Sequence, residues 1–296
     1  MAKKEVASTA LFVAAVRARE NERPDPLFKD ALSGRLAGPE GLSWLARSEA
    51  DPASRYRKDG FPYLEVRTRY FDDWALAAVK ESKARQLVLL GAGMDTRAFR
   101  LGWPGGFRIW EVDTRELFSL KEPRLRSAGA SPRCERTVVE ADLTDPDWVE
   151  TLMDRGLDKD RATLWLAEGL FMYLTPPDVD EILEGAASAS PVGSRFGVEI
   201  VSEDFFRRRS NWRVLETRKQ GGRRWGFGSD DPRALLARHG WKVDGIVGPL
   251  EAAIALGRVP PPAGGSQGGR RSVSRPGASF VTAARAKGRR LRATVV

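Results

Sequence analysis

Hydrophobic and polar positions change their rhythm once along this chain. Up to about residue 80 the apolar positions recur at helical spacing. They do so in "EVASTALFVAAVRARE", in "DPLFKDALSGRLAG", which opens with Asp25 and Pro26 as cap and first turn, and in "YLEVRTRYFDDWALAAVK". From Gln86 onward, short apolar runs alternate with helical patterns. "QLVLLG", "FRIWEVD", "RTVVEADL", "ATLWLAEG" and "SRFGVEIV" read as strands. "DTRAFRL", "TRELFSLKEPRL", "DPDWVETLMDRG" and "PPDVDEILEGAASAS" read as the helices that follow the first four. This alternation predicts an α/β fold, a parallel sheet with helices on both faces. Right-handed crossovers then place a ligand at the carboxyl ends of the strands.

After the fifth strand comes "SEDFFRRRSNWRVLETRKQGGRRWGFG", basic, aromatic and too long for a plain connection. "DPRALLARHG" then reads as a helix and "WKVDGIVG" as a strand. "PPPAGGSQGGRRSVSRPG" has the composition of a mobile loop, and "ASFVTAARA" is a last strand, so the two late strands form a long hairpin. There are no internal repeats. The expected organisation is a helical extension over 1–82 that covers part of the ligand site, an α/β core over 83–285, and a basic tail over 286–296. Within the core, 202–230 is a substrate-cap insertion and 258–278 the mobile loop.

Composition narrows the function classes. With 42% hydrophobic and 30% charged residues the chain resembles an ordinary soluble enzyme. No apolar run reaches the length of a membrane helix. The early "ALFVAAV" runs straight into "RARE", which suits an amphipathic helix better than a leader, so the expected compartment is the cytoplasm. The single cysteine, Cys134, excludes an internal disulfide and a cysteine metal cluster. The single histidine, His239, sits in the last turn of a predicted helix with Gly240 as its cap, so no serine–histidine triad or histidine metal site is built on it. Net charge is +9, but much of the excess lies in "GGRRSVSR" and "AKGRRLR", a weak basis for a nucleic-acid partner.

The chemistry concentrates in "LVLLGAGMDTRAFRL". Gly91 and Gly93 let the backbone turn after the first strand and approach a ligand closely. A dinucleotide fingerprint needs a third glycine, and Thr96 stands in its place. Three successive strands end in acid: Asp113, placed to bind a ribose diol, then Asp142 and Glu168. Such a rim suits hydroxyls, an amine and a cation rather than a diphosphate, which points to S-adenosyl-L-methionine.

"LLGAGMDTRAFRL", "EVD", "EADL" and "WLAEGLFMYL", with "TALFVAAVRARE…RPDPLFKD" and "VRTRYFDDW", resemble the leucine carboxyl methyltransferase family. The resemblance is to its bacterial branch of S-adenosylmethionine-dependent O-methyltransferases and spans most of residues 6–200. It implies a class I methyltransferase (Rossmann-like) fold, a seven-stranded, mostly parallel sheet with its last strand antiparallel. It implies that Gly91 lies against the cofactor, Asp113 binds the ribose, Asp142 and Leu143 contact adenine, and Glu168 lies near the methionine portion. It also implies that Arg67 pairs with the methionine carboxylate. By spacing alone, Arg67 and Arg69 both read as a solvated helix face, with Arg69 and Asp73 paired at i,i+4.

A carboxylate acceptor needs no base, whereas a hydroxyl does. With His239 set aside, no obvious base remains, which favours a carboxylate. Glu168, Asp142 or Tyr173 are candidates to assist a hydroxyl, and of these Glu168 and Tyr173 are the catalytic candidates. Phe171 and Met172 read as core, and Tyr173 reads equally as core or acceptor-facing. Trp212, Trp225 and Phe227, with the neighbouring arginines, are candidates for acceptor recognition. The expected activity is methyl transfer to a carboxylate or hydroxyl of a small metabolite, with no metal. Two competing readings remain, an NAD(P)-dependent Rossmann oxidoreductase and a nucleic-acid-binding protein using the basic tail. The acidic strand ends count against both.

Overall fold

The structure, a computed structural model, describes residues 2–51, 54, 60–211, 216, 225–261 and 277–286. Seven strands, β1 (Gln86–Leu90), β2 (Arg108–Asp113), β3 (Glu135–Glu140), β4 (Thr163–Ala167), β5 (Arg195–Val201), β6 (Trp241–Val247) and β7 (Ala278–Arg285), form one sheet. Their order is β3-β2-β1-β4-β5-β7-β6. The first five run parallel, and β7 lies antiparallel between β5 and β6. The mostly parallel sheet and the late hairpin are those expected from the sequence.

The period-two alternation of the strands builds two cores. Leu87, Leu89, Ile109, Leu164 and Leu166 face one side, and Val88, Leu90, Trp110, Val112, Trp165 and Phe196 face the other. The first side is covered by α1 (Ala2–Asn21), α2 (Ser33–Ala50), α3 (Tyr63–Ser82), α5 (Arg115–Ser127) and α10 (Pro249–Ala255). The second is covered by α6 (Trp148–Asp154), α7 (Pro176–Ser188) and α9 (Pro232–Arg238). Two further short helices are α4 (Arg97–Arg100) and α8 (Glu203–Arg207). Both faces of β1 and β4 are buried, which is why these two strands read as unbroken apolar runs. Sequence punctuation sets several boundaries. Thr175 and Asp178 form a capping box at the start of α7, and Asp231 caps α9 by accepting from the Ala234 N–H at 3.0 Å.

Three local expectations are corrected. Asp25 and Pro26 do not start a helix: α2 begins at Ser33 and bends at Gly38 (φ +61°), next to Pro39. Tertiary hydrogen bonds hold the preceding stretch as a loop. Glu20 accepts from the Leu27 N–H, Asn21 accepts from the Asp30 N–H, and Arg258 pairs with Asp25. The helix after β1 is only one turn long. The helix α10 has no counterpart among the sequence expectations.

Cys134 is half-buried just before β3, and burial pushes its thiol up to about 11, as for an inert structural cysteine. Most of 258–278 and of 286–296, and Trp212, lie outside the described residues. Arg258 itself is held by Glu20 and Asp25, each at 2.6 Å. Among the described residues no helix is long and apolar enough to cross a membrane, and no acid, histidine and cysteine group could hold a metal.

The packing of α3 on the sheet depends on a missing side chain. A Cβ at Gly197 of β5 would lie 2.7 Å from the Trp74 ring. Gly197→Ala is therefore expected to cost about 1–3 kcal/mol through overpacking, read as a lower urea midpoint at unchanged slope.

Candidate active site

The strand order reverses between β1 and β4, and the crevice beyond their carboxyl ends opens into a cavity of about 1070 Å³. Gly91 and Gly93 form its floor in left-handed conformations (φ +63° and +50°), and a Cβ at Gly91 would lie 2.9 Å from Leu170. Asp113, the last residue of β2, ties this turn down. One carboxylate oxygen accepts from the Gly93 N–H at 2.8 Å and the other from the Thr114 N–H at 2.7 Å. Burial pushes the Asp113 carboxyl up, and the two N–H groups only partly offset this, so it stays above its ordinary value. Each oxygen keeps a second lone pair for a ligand.

Asp142 follows β3 by two residues and accepts from the Thr144 N–H and hydroxyl. Leu143 beside it is buried, and both line the cavity. Glu168 directly follows β4, and Arg67 reaches it from α3. Thus the structure brings Arg67, Gly91, Gly93, Asp113, Asp142, Leu143, Glu168 and Tyr173 to one cavity. Of the aromatic candidates, Phe171 and Phe227 pack in the core, whereas Met172, although buried, still lines the cavity. Trp225 also lines it. His239 instead pairs with Asp180 at 2.8 Å and lies outside the cavity lining.

Sequence reading missed the setting of these groups. Arg67 donates to Glu168 at 2.8 Å and to Glu199 at 2.7 Å. Arg97 donates to the other oxygen of Glu168 at 2.8 Å, to Asp72 at 2.8 Å, and to Asp95. Arg100 holds Asp72 through two nitrogens. The chain continues through Thr96 to Asp30 and Arg17. Arg69, by contrast, pairs with Asp73 at 2.7 Å on the surface, as its spacing suggested.

Around Glu168, four carboxylates (Asp72, Asp95, Glu168, Glu199) face three guanidinium groups (Arg67, Arg97, Arg100), which leaves one excess negative charge. Gly169 (φ +70°) permits this approach: a Cβ there would lie 3.1 Å from Arg67 Nη1. Burial pushes the Glu168 carboxyl up, but Arg97 and Arg67 outweigh it and hold it below its ordinary value. The one available signal for Arg97 was a charged residue where a fingerprint glycine would stand near.

Because the folded state lowers the Glu168 pKa, its stabilisation is fully present above the unfolded carboxylate value. It is lost as pH falls through the lowered one. Glu168→Gln removes one charged acceptor from two buried arginines that each keep another carboxylate, and is expected to cost about 1–3 kcal/mol near neutral pH. Urea midpoints taken along the acid limb should fall less steeply in the variant than in the parent.

The chain is similar in sequence and fold to known proteins. Residues 10–187 match the leucine carboxyl methyltransferase family. A protein of Mycolicibacterium paratuberculosis named "Putative S-adenosyl-L-methionine-dependent methyltransferase" is 37% identical over 276 residues, covering 86% of this chain and 85% of that protein. A similarly named protein of Streptomyces avermitilis is 38% identical over 264 residues, covering 85% and 88%. Two crystal structures share the fold at a TM-score of 0.58. One is a DUF574 family protein from Streptomyces avermitilis (16% identity, 92% of this chain and 96% of that one). The other is titled as a putative methyltransferase from Thermobifida fusca (14% identity, 94% of each). The sheet is that of a class I methyltransferase, and the chain belongs to the leucine carboxyl methyltransferase family.

Proposed function

We propose that this member of an S-adenosylmethionine-dependent methyltransferase family is an O-methyltransferase acting on a carboxylate or hydroxyl of a small molecule. The observation that carries the reading is the placement of Asp113 and Glu168 on either side of the Gly91–Gly93 turn, in one cavity. The residues present fit the cofactor. The glycines leave room for close approach, and the Asp113 oxygens can accept from a ribose diol. Asp142 and Leu143 offer an acceptor and an apolar wall to adenine. The excess negative charge around Glu168 complements a sulfonium and an ammonium. Nη2 of Arg67 donates to none of the described residues and is available to the methionine carboxylate.

When bound, S-adenosylmethionine supplies an electrophilic methyl group carried on a sulfonium. The protein's task is then to hold donor and acceptor in line and to exclude water. The helices α1 and α2 and the residue Phe61, shortly before α3, contribute Val13, Trp44 and Phe61 to the cavity lining. The pyrophosphate reading loses ground for a structural reason. The helix after the glycine turn has one turn only, and the Thr96 hydroxyl donates to Asp30 instead of leaving space for a third glycine.

Thermal unfolding with S-adenosylmethionine, S-adenosylhomocysteine, NAD and NADP tests the reading. A ligand at about 100 times its Kd adds roughly 2.7 kcal/mol to the folded state. The midpoint is expected to rise with the first two only, and the rise should disappear in Asp113→Ala. A rise confined to NAD or NADP would overturn the reading.

A further inference from the structure

The cavity has two halves of different chemistry. The arginine–carboxylate half has been described. In the other, Met172, Val201 and Ala278 are buried, and Tyr173, Phe205 and Trp225 pack against them. Trp225 meets Tyr173 edge-on at 6.2 Å between ring centroids and Phe205 at 5.6 Å. Tyr63 of α3 packs on the same cluster. Where the two halves meet, its phenol is hydrogen-bonded to Glu199 Oε1, while Glu199 Oε2 is held by Arg67 at 2.7 Å. Glu199 is buried, the Tyr63 hydroxyl is the donor in this bond, and a phenol oxygen can accept as well as donate. Both residues line the cavity.

We propose that the acceptor is a flat aromatic hydroxyl compound. Its ring lies against Trp225, Phe205 and Tyr173, and its hydroxyl is received by the Tyr63–Glu199 pair. This rests on the methyltransferase reading above and chooses hydroxyl over carboxylate. The pair itself argues for that choice, because a hydroxyl has a proton to give up and a carboxylate does not.

The step balances. The acceptor oxygen bonds to the methyl carbon as the C–S bond breaks, and that electron pair stays on sulfur. The acceptor proton passes to Tyr63 Oη while the Tyr63 proton passes to Glu199 Oε1. The sulfonium charge and the carboxylate charge are lost together.

Acceptor acidity separates this role from a structural one. Turnover is measured as S-adenosylhomocysteine formed from S-adenosylmethionine with 2-naphthol, 2-naphthoate and 4-nitrophenol, at a pH where 4-nitrophenol is ionised and 2-naphthol is not. Tyr63→Phe should slow kcat on 2-naphthol about 100-fold or more while KM changes less than about threefold. On 4-nitrophenol, which needs no proton acceptor, the loss of kcat in the variant should be at least about tenfold smaller than on 2-naphthol. Trp225→Ala should raise KM for both phenols. Equal loss on both phenols in Tyr63→Phe overturns the inference, as does preferential methylation of 2-naphthoate. Turnover of neither phenol by a parent protein that binds S-adenosylhomocysteine overturns it too, and leaves the methyltransferase reading standing. Failure to bind S-adenosylhomocysteine overturns both.

Discussion

Arginines that cannot lose their charge, largely removed from water, are the constraint on which this structure rests. Arg67 and Arg97 are buried and Arg100 is nearly so. A guanidinium is not neutralised at any accessible pH, so each must find carboxylates with matching geometry. Those carboxylates come from separate parts of the chain: Asp72 from α3, Asp95 from the glycine turn, Glu168 from the end of β4 and Glu199 from β5. Satisfying three arginines therefore fixes α3 across the strand ends. The bond from Thr96 to Asp30 carries the same constraint to the loop before α2. A cavity wall is the by-product of this arrangement.

The network explains why scaffold and ligand groups overlap. Asp113 accepts two backbone N–H groups of the turn it stabilises, yet burial keeps its carboxyl above the ordinary value, so it is held in place at some electrostatic cost. Glu168 is the opposite case, an acid made easier to ionise by two arginines. The two acids at one switch point are thus driven in opposite directions. The excess negative charge around Glu168 is the property that a cationic ligand would relieve.

The apolar half of the cavity follows a separate logic. It is assembled from the 3-10 turn at Phe171–Tyr173, the end of β5, the start of β7, Phe205 of α8 and Trp225. Tyr63 belongs to both halves, its ring in the aromatic cluster and its hydroxyl on Glu199.

The sequence by itself determined the sheet and its ligand edge. Period-two alternation, one glycine turn and acids at three successive strand ends are local signals, legible because each strand's fate depends on its own residues. The same locality made Asp113, Asp142 and Glu168 readable as a group. It failed where a residue's partner lies far along the chain. Asp25 and Pro26 look like a helix start until Glu20, Asn21 and Arg258 claim the neighbouring backbone and side chains. By spacing, Arg67 and Arg69 look alike. Only the fold turns one toward Glu168 and Glu199, over 100 residues distant, and leaves the other on the surface with Asp73. Tyr63 and Glu199 carry no motif at all and meet across 136 positions. Long-range pairing of buried charges is decided by which helix packs on which strand end, and that is a property of the tertiary structure alone.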